Sequence, residues 1–384
     1  MGKTKTYDVA VIGAGVFGAW TAWTLAKRGR SVALLDAYGP AHARASSGGE
    51  TRIIRMGYGA DEIYTAWSKF SLTKWKELFA QTGQPLFHET GVLWLAGRED
   101  ARLLQTKTML LRSGVHFEPL DRARLTKRYP QINFEDVSTG ILEAQSGVLM
   151  ARRAVNVVVA DAVKMGAEYQ LAVAGVPRKS GGVNSIMSST GESVAAKTFV
   201  YACGPWLGKV FPEILGSRIF PTRQEVFFFG VPAGDARFAS PALPTWLFQE
   251  DLYYGMRDIE GRGFKIAWDQ HGKKVDPDTQ IRVPTPDLAK KARAYVAKRF
   301  PGLKDAPIVE TRVCQYENTS SGDFLIDRHP EMENVWFVGG GSGHGFKHGP
   351  AVGEYVAGQL MDGRPPEPRF SLITKDTVQR RAVY

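Results

Sequence analysis

Apolar residues open the chain as a continuous run. Val9-Ala10-Val11-Ile12 has no polar alternation, the pattern of a strand buried on both faces of a parallel sheet. The spacing then becomes helical, with Ala19, Ala22, Trp23 and Ala26 on one face. Gly29 ends that helix, and Ser31 to Leu35 forms a second buried strand closed by Asp36. Further helices are predicted over 61–83, 99–113, 125–129, 152–165 and 286–299, with Phe300-Pro301 stopping the last. Tyr64, Trp67, Phe70, Leu72, Trp75 and Phe79 mark the apolar side of the first of these. Strands are predicted over 91–96, 166–174, 197–202 and 335–338, with a β-hairpin after Ala174 and a final helix over about 350–361. Short alternating stretches at 223–229, 246–248, 252–256 and 263–268 predict an antiparallel sheet.

The first strand and helix are joined by Gly13-Ala14-Gly15-Val16-Phe17-Gly18. A lone GxGxxG says little. Here it sits between strand and helix, and Asp36 ends the next strand, which is the context of a dinucleotide-binding βαβ unit. Gly13 allows the tight turn, Gly15 lets backbone approach a pyrophosphate, and Gly18 brings helix and strand close. The helix N-terminus offers unpaired N–H groups to phosphates, and Asp36 offers a carboxylate to ribose hydroxyls. The expected class is α/β, a Rossmann-type domain with a second, antiparallel-sheet domain over 218–312.

Composition changes this picture little. At 384 residues the chain is long for one core, and 43% hydrophobic with 23% charged residues is ordinary globular usage. The net charge of +10 would suit nucleic acid, an anionic membrane or acidic small ligands. The Lys and Arg residues are scattered without a dense run, so a solvated surface and an anionic cofactor and substrate are expected, not nucleic acid or membrane. Cys203 and Cys314 make no disulfide framework. No metal is expected. No run is long enough to span a membrane, Met1 to Thr6 lead straight into the first strand, and Val383-Tyr384 is no peroxisomal signal, so the cytoplasm is the expected location.

Residues 37–60 read as a flexible loop centred on Ser46, Ser47, Gly48 and Gly49, followed by Thr51-Arg52-Ile53-Ile54-Arg55. Two arginines on a glycine-rich loop beside a nucleotide site suit bidentate anion binding. A second glycine-rich turn, Gly339 to Gly345, lies between the last strand and the last helix and would aim backbone N–H groups at a ligand.

SSxGxTRIIR, then Cys314-x-Tyr316, then Asp323-x-x-Ile326-Asp327-x-His329-Pro330, then Gly340-x-Ser342-Gly343-His344-Gly345-Phe346-Lys347 together resemble one group. It is the monomeric sarcosine oxidase and N-methyl amino acid oxidase group of the D-amino acid oxidase-like flavoproteins, and the resemblance spans nearly the whole chain. It implies FAD, held at Gly13, Gly15, Val16, Phe17, Gly18, Asp36, Ser47, Gly341, Gly343 and Gly345. It implies a discontinuous FAD-binding domain over 1–85, 145–215 and 310–384, and a substrate domain over 86–144 and 216–309. Arg52 would lie by the flavin, and Cys314 would hold it through a thioether. Arg55 and Lys347 would bind a substrate carboxylate, Lys265 would activate oxygen, and Tyr254 and Tyr316 would line the substrate cavity. His344 is either a flavin neighbour or a loop residue. Ala202-Cys203-Gly204-Pro205-Trp206 resembles a corner near the dinucleotide, with Cys203 a small packed residue.

The implied reaction is oxidation of the C–N bond of an N-substituted amino acid to an imine, which water hydrolyses, while O2 becomes H2O2. A monomer is expected. Asp269 departs from the pattern, because sarcosine-specific members carry a histidine there. A carboxylate favours a cationic or hydroxyl-rich group, or assists amine deprotonation. Trp246, Tyr253, Tyr254, Trp268 and Tyr316 are aromatic cavity candidates and favour something larger than sarcosine. N-methyl, cyclic and fructosyl amino acids stay open as substrates. A flavin dehydrogenase with another acceptor, and a non-catalytic dinucleotide protein, are the other classes.

Overall fold

The computed structural model describes residues 5–175 and 184–380. The tip of the hairpin expected after Ala174, the extreme N-terminus and Val383-Tyr384 lie outside the described residues. The strand Thr6–Ile12 is central to a seven-stranded sheet. It pairs in parallel with Val32–Asp36 on one side and with Ser193–Tyr201 on the other. Val335–Gly339 continues the sheet in parallel, and Leu325–Arg328 forms an antiparallel edge. The apolar runs forced this placement, since strands without polar alternation need cover on both faces.

The helix Val16–Lys27 is buried all round from Val16 to Ala26, not on one face as its spacing suggests. The helices Ala151–Lys164 and Gly349–Met361 both pack on it. Trp20 meets Trp23 and Trp75 edge-to-face at 5.0 and 4.9 Å. Such contacts let a helix with a weak amphipathic pattern bury every side.

A second sheet has eight strands. Its order runs Ile308–Asn318, Phe220–Phe229, Phe264–Trp268, Tyr253–Met256, Thr245–Phe248, Val92–Ala96, Thr139–Glu143 and Glu118–Asp121. The pairings are antiparallel except that of Thr245–Phe248 with Val92–Ala96, which is parallel. Ile308–Asn318 hydrogen-bonds along Phe220–Phe229 from Phe220↔Asn318 to Phe229↔Ile308. That pairing carries Cys314 and Tyr316 to the boundary between the two large sheets.

A small third sheet corrects the expected loop placement of Arg52, while Arg55 lies just past the strand. Thr51–Ile54 is a strand, paired antiparallel with Gly147–Met150. The β-branched Thr51, Ile53 and Ile54 explain the extended backbone. No helix among the described residues is long and apolar enough to cross a membrane.

Candidate functional site

The glycine turn closes tightly. Gly13 has φ +105°, and a Cβ there would meet Ala202 O at 2.4 Å. A Cβ on Gly18 would lie 1.8 Å from Gly13 O, so helix and turn touch backbone to backbone. Gly15 differs, because the nearest atom to its Cβ would be Ser47 Oγ at 3.6 Å. Asp36 accepts hydrogen bonds from the N–H groups of Ala14, Tyr38 and Gly39 at 2.7, 2.8 and 2.9 Å. Ser47 Oγ accepts from Val16 N at 3.0 Å.

Gly13, Gly15, Val16, Asp36 and Ser47, but not Gly18, line a cavity of about 350 Å³ whose lining also includes Trp206, Gly341, Gly345 and Phe346. Cys203 lines it too, and burial pushes its thiol far above the ordinary range, which agrees with a packed, inert residue. Glu317 is a lining residue the sequence reading missed. Burial raises its carboxyl to about 7 against the opposing N–H groups of Gly340 and Gly341, and Oε1 has no hydrogen-bond partner among the described residues.

A smaller pocket of about 70 Å³ adjoins the cavity and shares Arg52, Tyr316, Gly343 and Phe346 with it. Strand Thr51–Ile54 delivers Arg52, and Arg55 follows its end. Strands Tyr253–Met256 and Phe264–Trp268 deliver Tyr254 and Lys265, with Asp269 just beyond. Ile308–Asn318 brings Tyr316, and the turn after Gly339 brings His344 and Lys347. The pocket therefore gathers Arg55, Tyr254, Lys265, Asp269, Tyr316, His344 and Lys347 from across the chain.

Each cation is held. Lys265 Nζ donates to Thr51 O and Oγ1 at 3.0 and 2.9 Å; burial, then Arg52, lowers it to about 7. Lys347 Nζ donates to Tyr58 Oη at 2.6 Å and His344 O at 2.8 Å. Burial, then Arg55, holds Lys347 well below the usual lysine range. The Arg55 guanidinium lies 4.5 Å from the Tyr58 ring and 4.7 Å from the Trp94 ring. Arg52 donates to Ser46 O at 2.7 Å and to Cys314 Sγ at 3.5 Å, so the half-buried Cys314 stands beside two cavity residues.

Asp269, Tyr254 and Tyr316 make the rest of the lining acidic and phenolic. Tyr316 Oη donates to Asp269 Oδ1 at 2.8 Å. Burial raises Asp269, and burial together with Asp269 raises Tyr254 to about 12 and Tyr316 well above its ordinary value. His344 Nε2 lies 3.0 Å from Gly322 O, with its ring stacked on Phe324.

Of the aromatic candidates, Tyr254 and Tyr316 line the pocket; Trp246, Tyr253 and Trp268 do not. Strand alternation is the reason. Lys265 and Asp269 share one face, so Phe264, Ile266 and Trp268 take the other. There Trp246 packs on Phe264 and Phe300, and Tyr253 stacks on Tyr295 at 3.9 Å. Leu247 lines the pocket instead of Trp246.

The sequence reading also missed Tyr58, Trp94, Glu143 and His348. Glu143 is buried and accepts from Met56 N, Gly57 N, Trp94 Nε1 and Ser146 Oγ at 2.7, 3.1, 2.7 and 2.7 Å. It anchors the bend after Arg55 and the indole beside it. A carboxylate at the end of an apolar strand was the available signal.

The family described as FAD dependent oxidoreductase matches residues 8–359. The chain belongs to that family. It is 30% identical over 366 residues to monomeric sarcosine oxidase of Bacillus sp. (strain B-0618), covering 93% of each protein. It is 30% identical over 388 residues to mouse peroxisomal sarcosine oxidase, covering 97% of this chain and 98% of that protein. N-methyl-L-tryptophan oxidase of Salmonella heidelberg (strain SL476) is 29% identical over 369 residues, with 94% and 96% covered. L-proline dehydrogenase from P. horikoshii shares the fold, with a TM-score of 0.84 at 21% identity and 96% and 97% covered.

This FAD dependent oxidoreductase fits its cofactor. The large cavity meets the open Gly15 at a helix N-terminus, where a diphosphate is favoured. Asp36 stands at one end for ribose hydroxyls, and Glu317 Oε1, without a partner among the described residues, is an acceptor in the wall. The small pocket of cations and phenols adjoins the far end.

Proposed function

We propose that this enzyme is an oxidase of secondary (N-substituted) amino acids. It converts the C–N bond to an imine, hydrolysed to an amine and a carbonyl compound, and reduces O2 to H2O2. The observation that carries this reading is the meeting of Arg55 and Lys347 in one small buried pocket beside the cofactor cavity. A buried guanidinium calls for an anion, and a lysine beside it that gains a proton when the anion arrives suits a carboxylate. FAD, when bound, supplies the two-electron acceptor. Arg55 and Lys347 hold the carboxylate and so fix the C–N bond, and the enclosing side chains exclude water. Lys265 supplies a fixed positive charge for the reduction of O2. Asp269 and Tyr316 face the substituent on nitrogen and set which substituent is accepted. Cys314 forms the covalent link to the cofactor, supported by its place beside Arg52 and Ser46. The enzyme acts as a monomer.

With Trp246, Tyr253 and Trp268 turned away, the case for a bulky substrate rests on Tyr254 and Tyr316. Asp269 and its phenol partner favour hydroxyls, which supports fructosyl amino acids as the second reading. The test is oxidation in air of a panel of N-methyl, cyclic and fructosyl amino acids, followed as peroxide. Peroxide with amino acids but not with their decarboxylated amines supports the reading. Substrate oxidation without peroxide would make the enzyme a dehydrogenase, and indifference to the carboxylate would sink the assignment of Arg55 and Lys347. Acid precipitation tests the link: flavin stays in the pellet for the native protein and leaves it for Cys314→Ala.

A further inference from the structure

An amino acid reaches this site with a protonated amine, and its C–N bond is oxidised only once that nitrogen has a free electron pair. A proton must therefore leave, and the pocket must hold its acceptor. We infer that Lys347, in addition to binding the carboxylate, is the base that receives the ammonium proton. This rests on the carboxylate reading above.

The hydrogen bonds around Lys347 carry the argument. Gly322 O can only accept, so His344 Nε2, 3.0 Å away, bears the hydrogen and Nδ1 keeps its lone pair. That lone pair faces Tyr58 Oη at 3.3 Å and can accept the phenol hydrogen. Tyr58 Oη then accepts from Lys347 Nζ at 2.6 Å and from His348 Nε2 at 2.9 Å. Two Nζ positions of Lys347 are thus spent on Tyr58 Oη and His344 O. A neutral amine needs no more than these two. The third position, which carries a hydrogen only in the ammonium, is left to the pocket that Lys347 lines.

The surrounding charges agree. Arg55 stands against a charge on Lys347, while Asp269 and Glu143 favour one. His348 is kept neutral by burial and by Lys347, His344 and Arg55. Burial outweighs the two carboxylates in the ligand-free pocket, and an arriving carboxylate reverses the balance. In an α-amino acid the amine and the carboxylate share one carbon, so a lysine touching one stands beside the other. The N–H bond of the ammonium breaks, its electron pair stays on nitrogen, and an N–H bond forms at Lys347 Nζ. The net charge of the complex does not change.

The test is proton linkage in the holoenzyme. Titration calorimetry at about pH 8, in phosphate and in Tris, gives the protons exchanged with buffer. Isobutyrate has no amine, and 2-aminoisobutyrate has no α-hydrogen to lose and is not oxidised there. The expected result is uptake of about one proton with isobutyrate and about none with 2-aminoisobutyrate. Equal uptake with both ligands would overturn the inference while leaving the carboxylate reading intact. Failure of either ligand to bind would overturn both. Lys347→Arg, which stays charged, should bind isobutyrate without uptake, whereas Lys265→Met and Asp269→Asn should keep it. Uptake that survives in Lys347→Arg and vanishes in Lys265→Met or Asp269→Asn assigns the proton elsewhere and sinks the inference. If Lys347→Arg does not fold, the wild-type comparison still decides.

Discussion

Gly15 and Gly18 lie three residues apart in one motif, and the structure gives them opposite reasons to be glycine. At Gly18 an added Cβ would stand 1.8 Å from Gly13 O, a backbone atom in the tightest part of the turn. Nothing flexible can yield there, so Gly18→Ala must push the helix Val16–Lys27 off its strand. Forced overpacking of this kind costs about 3 kcal/mol or more, and the roughly 1 kcal/mol gained in helix propensity does not offset it. At Gly15 the backbone is an ordinary extended cap, with φ −70° and ψ −179°, and the nearest atom to a Cβ is Ser47 Oγ at 3.6 Å. Gly15→Ala should change the stability of the apoprotein by less than about 1 kcal/mol, the size of a cap effect. It should weaken FAD binding by at least about tenfold, or about 1.4 kcal/mol, because the methyl takes space at the cavity wall. Urea denaturation of the apoproteins and quenching of FAD fluorescence separate the two effects. The reasoning is refuted if Gly15→Ala binds FAD normally, or if both variants lose apoprotein stability equally.

Two more outcomes follow from the buried charges. Lys265 is lowered from 10.5 to about 7, so between those values the unfolded chain binds a proton that the folded apoprotein does not. Its burial penalty is full below pH 7 and fades as pH rises toward 10.5, so stability should rise with pH across that window by on the order of a few kcal/mol. Lys265→Met should flatten that rise, and parallel stability curves for the two proteins would contradict the assignment. The same variant should slow reoxidation by O2 by on the order of 100-fold while sparing anaerobic reduction by substrate. Glu143→Gln turns an amide N–H₂ toward buried donors that now meet a carboxylate, and should destabilise the protein by about 2–4 kcal/mol in urea. A loss below about 0.5 kcal/mol would show that the four donors find other partners.

The local patterns were legible from the residues alone. A strand without alternation, GxGxxG, a helix and a second strand ending in Asp36 lie within one short stretch, and each rests on neighbours in sequence. The helix Pro286–Arg299 falls where its spacing put it, between a proline start and Phe300-Pro301. The chemistry-bearing residues could be named because residue type and motif are also local. The choice of sheet face was not local. Alternation says that Tyr253 and Tyr254 point opposite ways, but only the packing of Trp246 on Phe264 and Phe300 and of Tyr253 on Tyr295 decides which side meets the pocket. Glu143, Glu317, Tyr58 and His348 gained their places only through partners far along the chain, such as Tyr58 with Lys347 and Glu143 with Met56.

The protonation of the site was decided last. Lys265 and Lys347 read as ordinary lysines in sequence, and their lowered affinity for protons comes from desolvation and from Arg52, in the strand Thr51–Ile54, and Arg55, just after it. By itself, then, the sequence determined most of the elements, the dinucleotide turn and part of the list of reactive side chains, since these depend on short-range geometry. Tertiary structure alone decided which side chains share a pocket and what charge they carry there, because burial and electrostatic energy sum over atoms that only the fold brings together.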